Sequence, residues 1–228
     1  MIFANYHTHT TFCDGRDTPE QLVQEAIRLG CPALGFSGHS YAFYDAACMP
    51  KENIRPYQAE IRRLQSAYSG QIRILLGIEQ EYYSDEPTEA YDYVIGAVHN
   101  LRHGSEYHSV DHTRERLIAI VDDWFGGDWY AMVEEYYRLV GDLYEKTHCR
   151  VIAHFDLIEK FNEAGELFDR THPRYRAGPL RDQHRSHRPR LPHIALSRSV
   201  PAPGHAGRRR QTDAEFRLSR PPLPALRL

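Results

Sequence analysis

Tyr6-His7-Thr8-His9-Thr10-Thr11-Phe12-Cys13-Asp14-Gly15 lies near the start of the chain, directly after a short apolar run at residues 1–4. If this stretch begins as a strand, His7 and His9 point to the same face, because side chains along a strand alternate with a period of two. Asp14 and Gly15 add a carboxylate and a chain reversal beside the same point. The stretch therefore predicts a cluster of metal-competent groups at a strand end. Taken alone, it also fits a pair of surface histidines.

The bulk composition fits one medium-sized domain with a tail. The chain has 228 residues, of which 41% are hydrophobic, and it contains no apolar run of about 18 residues and no signal peptide. Four cysteines without C-x-x-C spacing predict reduced thiols in a cytoplasmic protein. Fourteen histidines favour metal chemistry.

The charge is distributed unevenly along the sequence. Residues 178–228 hold 11 of the 28 basic residues, all of them arginine, and 3 of the 31 acidic ones. This segment therefore carries +8 and residues 1–177 carry −11. Such a division predicts two parts of different character.

Helical and strand patterns alternate through the first part. Apolar spacing and capping residues predict helices at 18–29, 51–68, 113–122 and 129–147, with Leu22, Ala26 and Leu29 as the buried stripe of the first. Short apolar runs predict strands at 33–36, 72–78, 93–98 and 150–153. This order is typical of an α/β fold with a parallel sheet or barrel.

Metal-competent side chains stand where the predicted strands end. In a parallel barrel these ends share one rim, where barrel enzymes place their chemistry. Imidazoles and carboxylates suit Mn, Fe or Zn, and six or more donors exceed the needs of one ion, so we expect two or three divalent ions. Clustered divalent ions favour hydrolysis of a phosphate ester. The candidate donors are His7, His9, His39, Glu79, His99 and His154.

Several motifs together resemble the PHP (polymerase and histidinol phosphatase) superfamily. They are His-Thr-His with Asp14, Phe36-Ser37-Gly38-His39, Gly77-Ile78-Glu79, Gly96-Ala97-Val98-His99 and Ile152-Ala153-His154-Phe155-Asp156. The segments 48–54, 107–111 and 154–162 look like its monofunctional histidinol-phosphatase branch. The resemblance covers about residues 1–177 and implies a distorted (β/α)7 barrel with a trinuclear metal site. It also implies hydrolysis of L-histidinol phosphate in histidine biosynthesis.

The resemblance further implies roles for individual residues. Asp14 and His39 match catalytic positions that ligate or orient. Lys160 matches a phosphate-facing role, with a solvated lysine as the alternative, and His108 and Asp111 match a loop that touches the substrate, with a plain surface loop as the alternative. Glu81, Tyr82 and Tyr83 could line the rim, with core or surface packing as the alternative. The metal ligands that it implies are His7, His9, Glu79, His99 and His154.

The chain departs from the family after Arg176. The family continues with a helix, a strand close to EINTGAI-RGYR, another helix and a terminal D-x-H, none of which follows here; the barrel is therefore expected to be incomplete at its C-terminus. Residues 178–228 instead hold eight of the fourteen prolines and one Phe, which predicts a disordered tail. A sharper hypothesis is a shifted reading frame: codons for residues 181–192 can be chosen so that the frame one base later encodes EINTGAIARGY.

Four functional classes follow from these patterns. The first is a metal-dependent histidinol phosphatase with a small-molecule phosphate ester as its partner, and without a membrane partner. The second is another PHP-type phosphoesterase acting on nucleic-acid ends, against which the acidic body argues. The third makes the basic tail a nucleic-acid arm, although no aromatic residue interleaves its arginines. The fourth is an inactive product of a frameshifted gene.

Overall fold

The computed structural model describes residues 4–176 and 194–195, and its main feature is a parallel sheet. All neighbouring strands of this five-stranded sheet pair in parallel, in the order β1-β2-β3-β6-β7. The predicted α/β fold with a parallel sheet is confirmed. The strands are β1 (Ala33–Phe36), β2 (Arg73–Glu81), β3 (Tyr93–Ala97), β4 (Asn100–His103), β5 (Glu106–Ser109), β6 (Val151–Ile152) and β7 (Ile194–Ala195).

Helices connect the strands and cover the sheet. Thr18 caps the first helix with a capping box that includes Gln21, and Pro19 takes its first position. Ala26 is buried as expected and Leu22 is partly buried, but Leu29 lies at the C-cap and is 59% exposed, and Val23 completes the buried face. The helices are α1 (Pro19–Arg28), α2 (Lys51–Ala67), α3 (Arg114–Phe125), α4 (Trp129–Thr147) and α5 (Pro173–Arg176).

Two large apolar clusters hold these layers together. One packs α1 and α2 against β1 and β2, with Phe36, Tyr57 and Ile61 fully buried. The other packs α3 and α4 against the region after β3, around Leu117 and Tyr136. The clusters lie on successive helices, as expected for elements that are consecutive along a βα chain.

The hairpin of β4 and β5 was not predicted from the sequence. It follows directly after His99, and Asn100 pairs with Ser109 in an antiparallel register. Its sequence is mostly polar and contains a glycine, so the pattern resembles that of a loop. In the structure this residue, Gly104, has φ 60° at the turn. It carries the segment 107–111 back toward the end of β3.

The His-Thr-His stretch forms a parallel edge beside β1 and no regular strand. An isolated bridge joins Asn5 to Leu34. The amide of Gly35 donates to the Asn5 carbonyl (2.7 Å), and the amide of Ser37 donates to the Thr8 carbonyl (2.9 Å). These bonds place His7 and His9 beside the end of β1.

Tyr93 fastens this edge from across the sheet. Its hydroxyl donates to the carbonyls of Tyr6 (2.7 Å) and Phe36 (3.1 Å). The ring fits because Gly35 and Gly77 carry no side chain: a Cβ on Gly77 would lie 2.3 Å from the ring, and a Cβ on Gly35 would lie 2.4 Å from the hydroxyl.

We therefore expect Gly77→Ala to displace Tyr93 and to lower the free energy of unfolding by about 1–3 kcal/mol, as overpacking typically does. Chemical denaturation measures the effect. Tyr93→Phe keeps the ring and removes only the two hydroxyl bonds, so it should cost less. A Gly77→Ala protein as stable as the parent would contradict the close packing.

No helix within residues 4–176 combines the length and the apolar composition needed to cross a membrane. The predicted disorder and frameshift of residues 178–228 lie outside the described residues, except that β7 falls within this range.

Candidate metal centre

Five histidines surround one buried glutamate at the carboxyl edge of the sheet. Glu79 lies inside β2, which continues to Glu81, and not beyond its end as expected. His39 follows β1 and forms an isolated bridge with Glu79. His99 and His154 follow β3 and β6. The parallel order of the strands thus brings residues far apart in sequence to one place.

Glu79 is 1% exposed, and both of its oxygens face imidazole nitrogens. Every candidate donor histidine has a ring nitrogen within 3.6 Å of this carboxylate. Oε2 lies 3.0 Å from His7 Nε2, 3.2 Å from His9 Nε2 and 3.2 Å from His39 Nδ1, and Oε1 lies 3.1 Å from His154 Nε2 and 3.6 Å from His99 Nε2.

The imidazoles also face one another in pairs. The Nε2 atoms of His7 and His9 are 3.1 Å apart, and so are those of His99 and His154. Donors bound to one ion at about 2.0–2.1 Å and angles of about 90–110° lie about 2.8–3.4 Å apart. Glu79 Oε2 has no partner with hydrogen-bond geometry among the described residues, although three ring nitrogens lie near it. The donor set therefore fits divalent ions better than a hydrogen-bond network.

All the candidate donors except His154 fall, together with Asp14, into three overlapping groups, each with ligand atoms within 4.8 Å of one another. The groups are His7, His9 and Glu79; His9, Asp14 and His39; and His39, Glu79 and His99. Because neighbouring groups share a residue, the arrangement can hold more than one ion. His39, expected to ligate or orient, lies within two of these groups.

Two further carboxylates contact the Nδ1 atoms of histidines whose Nε2 atoms face Glu79. Asp14 Oδ1 lies 2.9 Å from His9 Nδ1, on the side of the ring away from Glu79. Glu81 Oε2 lies 2.8 Å from His99 Nδ1 and accepts the His99 backbone N–H at 3.1 Å. The sequence contained the signal for Glu81: two residues beyond Glu79 on one strand, it shares the same face.

The charges in this cluster shift several pKa values. Burial alone would raise the pKa of Glu79, but the surrounding histidines, His7 foremost, hold it well below its usual range. Burial would lower the pKa of His99, yet Glu79 and Glu81 raise it to about 10. Burial would also lower the pKa of His9, but the hydrogen bond to Asp14 helps to raise it well above its usual value. Burial lowers the pKa of His39 to about 3 and also lowers that of His154.

These directions predict proton release when divalent ions bind. At pH 7 the metal-free His9 and His99 are protonated, and ligation requires their neutral form, whereas His39 and His154 are already neutral. Metal affinity should therefore rise with pH from neutrality up to the pKa of His99, about 10. Calorimetry with Zn²⁺ in buffers of different ionisation enthalpy measures the released protons, roughly two at full loading. Binding without proton release would contradict these shifts.

The three residues expected to bind substrate lie outside the three donor groups. Lys160 Nζ donates to the backbone carbonyl (2.6 Å) and to Oδ2 (3.1 Å) of Asp111. Burial would raise the pKa of Asp111, but the charges of His99 and Lys160 lower it to about 2. The ring of His108 packs against Trp124 of α3, with centroids 4.5 Å apart.

The tyrosines after Glu81 pack and do not join the histidines. Tyr82 is buried, and its hydroxyl donates to Asp142 of α4 at 2.8 Å. Tyr83 meets the edge of Tyr107, with ring centroids 5.4 Å apart. Ordinary packing, the alternative given for these two side chains, describes these contacts.

The fold and the cluster define an α/β protein with a candidate multi-metal centre at the carboxyl edge of a parallel sheet. The family model for the PHP domain matches residues 5–177. The chain belongs to the PHP domain family.

Relatives and solved structures agree with this assignment. The histidinol-phosphatase of Bacillus subtilis is 32% identical over 183 residues, which cover 68% of this chain and 66% of the relative. A structure from Listeria monocytogenes matches with a TM-score of 0.58 and 21% identity, covering 71% of this chain and 70% of that one.

The histidinol phosphate phosphatase of Lactococcus lactis, in complex with zinc, L-histidinol and phosphate, matches with a TM-score of 0.51 and 22% identity, covering 72% of this chain and 65% of that one. These structural matches bear on the fold. The chain spans about six-tenths of the length of the curated relatives it matches.

Proposed function

We propose that this chain is a metal-dependent phosphomonoesterase for the hydrolysis of L-histidinol phosphate to L-histidinol and phosphate, and that loss of the family's C-terminal ligands impairs its activity. The observation that carries the proposal is the buried Glu79 with five imidazole nitrogens within 3.6 Å. The Bacillus subtilis relative and the Lactococcus lactis complex supply the substrate by analogy. Residues 1–177 would form the phosphatase domain, and 178–228 would be a separate basic tail.

The proposed centre holds two or three divalent ions of Mn, Fe or Zn. Three overlapping donor groups support this number. Mixed imidazole and carboxylate donors favour these metals over Mg or Ca, which prefer oxygen ligands. Bound ions of this kind supply Lewis acidity toward a phosphoryl group and acidify water. The proposed ligands are His7, His9, Glu79, His99 and His154, with Asp14 and His39 completing the groups.

Other residues of the chain would position the histidines and the substrate phosphate. Asp14 accepts from Nδ1 of His9 and so keeps Nε2 of this ring turned toward Glu79. Asp111 fixes the position of the Lys160 ammonium, whose positive charge suits a phosphate oxygen. His108 has less support for substrate contact, because its ring already packs on Trp124.

Phosphate release from L-histidinol phosphate tests the proposal. Purified protein is loaded with Mn²⁺, Fe²⁺ or Zn²⁺ in turn, and a panel of other phosphomonoesters and of nucleic acids with terminal phosphates is assayed beside the substrate. The same assay is run with a version in which the proposed reading frame is restored. Selective, chelator-sensitive release supports the proposal. If neither form releases phosphate, or if both prefer nucleic-acid ends, the proposed substrate is wrong.

A further inference from the structure

Glu81 joins three segments that carry candidate metal donors. It lies on β2 two residues beyond Glu79, and its side chain is 1% exposed. Its backbone N–H donates to Ser40 Oγ (3.0 Å), next to His39. Its Oε2 accepts from the backbone N–H and faces the Nδ1 of His99.

The position of Glu81 excludes it from the donor groups themselves. His99 Nε2 faces Glu79 Oε1 (3.6 Å) and His154 Nε2 (3.1 Å), whereas Glu81 contacts the opposite nitrogen of the ring. The two nitrogens of an imidazole point in different directions, so one ring links a carboxylate on one side to an ion on the other. Carboxylates in this position fix the orientation of a ligating histidine and increase its basicity.

We propose that Glu81 is a positioning residue that holds the Nδ1 proton of His99 and thereby keeps the Nε2 of His99 aimed into the metal centre. This inference rests on the proposed function, since it concerns the same centre. Two bonds from one oxygen, to the ring and to the backbone of the same residue, fix both the position and the rotation of the side chain. Removing the carboxylate leaves the ring free to turn.

The first measurement needs neither metal nor substrate. In metal-free protein with ¹⁵N-labelled histidine, the Nδ1–H of His99 should give a slowly exchanging downfield resonance, assigned by its loss in His99→Gln. Glu81→Ala should abolish this resonance. Gln80→Ala is the matched control: Gln80 is 3% exposed on the same strand and bonds the carbonyls of Ser84 and Glu86, so it should leave the resonance in place.

The second measurement is the affinity for Zn²⁺ alone, obtained by competition with a chelator. Glu81→Ala should weaken binding by about 10–100-fold, the range found when partners behind a ligating histidine are removed. Glu81→Gln keeps an acceptor oxygen and the side-chain shape, so it should retain the resonance and lose less affinity. If Glu81→Ala does not fold, Glu81→Gln provides the affinity measurement in its place.

Three results would overturn the inference: a His99 resonance that persists in Glu81→Ala, affinity unchanged within about twofold, or an equal loss in Gln80→Ala. Loss of the resonance together with weaker Zn²⁺ binding would support it. Absence of phosphatase activity in the frame-restored protein would count against the proposed function alone, because the resonance is read without substrate.

Discussion

Glu79→Gln is expected to remove nearly all metal binding and, with it, phosphomonoesterase activity. This carboxylate lies within 3.6 Å of all five candidate donor histidines, and both of its oxygens face ring nitrogens. Its removal should therefore weaken metal binding by more than the 10–100-fold typical of partners behind the ligands. Metal content after dialysis and the Zn²⁺ dissociation constant measure the loss.

The same substitution should destabilise the metal-free protein. Glu79 balances the charge of protonated His9 and His99, and removing one partner of a buried charged set costs about 3–5 kcal/mol. The loss should shrink as pH rises through the elevated pKa values of these histidines, because the neutral rings no longer need the countercharge. Glu52→Gln, on the exposed first turn of α2, is the control. Normal metal content in Glu79→Gln would refute the assigned centre.

Restoring the proposed reading frame after residue 176 is expected to produce the other large effect. The chain as printed should be a weak or inactive phosphatase, and the restored chain should turn over L-histidinol phosphate at about 1–10³ per second. The family pattern places a terminal D-x-H and an RGYR-like arginine in the segment that, under the frameshift hypothesis, residues 178–228 replace. Without them, an ion would lack anchors and the phosphate a bidentate partner.

Parallel assays of the two proteins at equal metal loading measure this difference. His7→Ala in the restored chain should abolish turnover, which ties activity to the histidine cluster. Resequencing the DNA around codons 176–182 tests the frame independently. Enzyme-like turnover by the printed sequence would disprove the hypothesis.

Periodicity along the sequence predicted most of the fold. The four longer helices follow from it, because each buries one face, and the strands of residues 4–176 in the parallel sheet follow from short apolar runs, because β1 and most of β2 are buried on both faces. The hairpin of β4 and β5 was not predicted, since its strands are short and mostly polar and leave no apolar alternation, although Asn100 and Leu101 are buried. Leu29 was misjudged because the helix ends one residue earlier.

The candidate site was visible at strand ends, but its geometry was not. That Glu79 is central, and that Glu81 contacts His99, depends on the register between β2 and β3, which places Glu79 opposite Ile95 and Glu81 opposite Ala97. Sequence spacing within one strand does not contain this register. The packing of His108 on Trp124 likewise depends on the hairpin. Roles of the individual ligands stay predictions.

The edge that carries His7 has a consequence for how the chain holds together. His7 and His154 are far apart in the sequence, yet their ring centroids are 6.1 Å apart. An ion held between them would be a cross-link closing a loop of most of the domain, and long closed loops restrict an unfolded chain the most. The segment it would tie down is attached to β1 by few backbone bonds. Chelation of the ions would then release the segment around His7 and His9 before the rest of the domain unfolds.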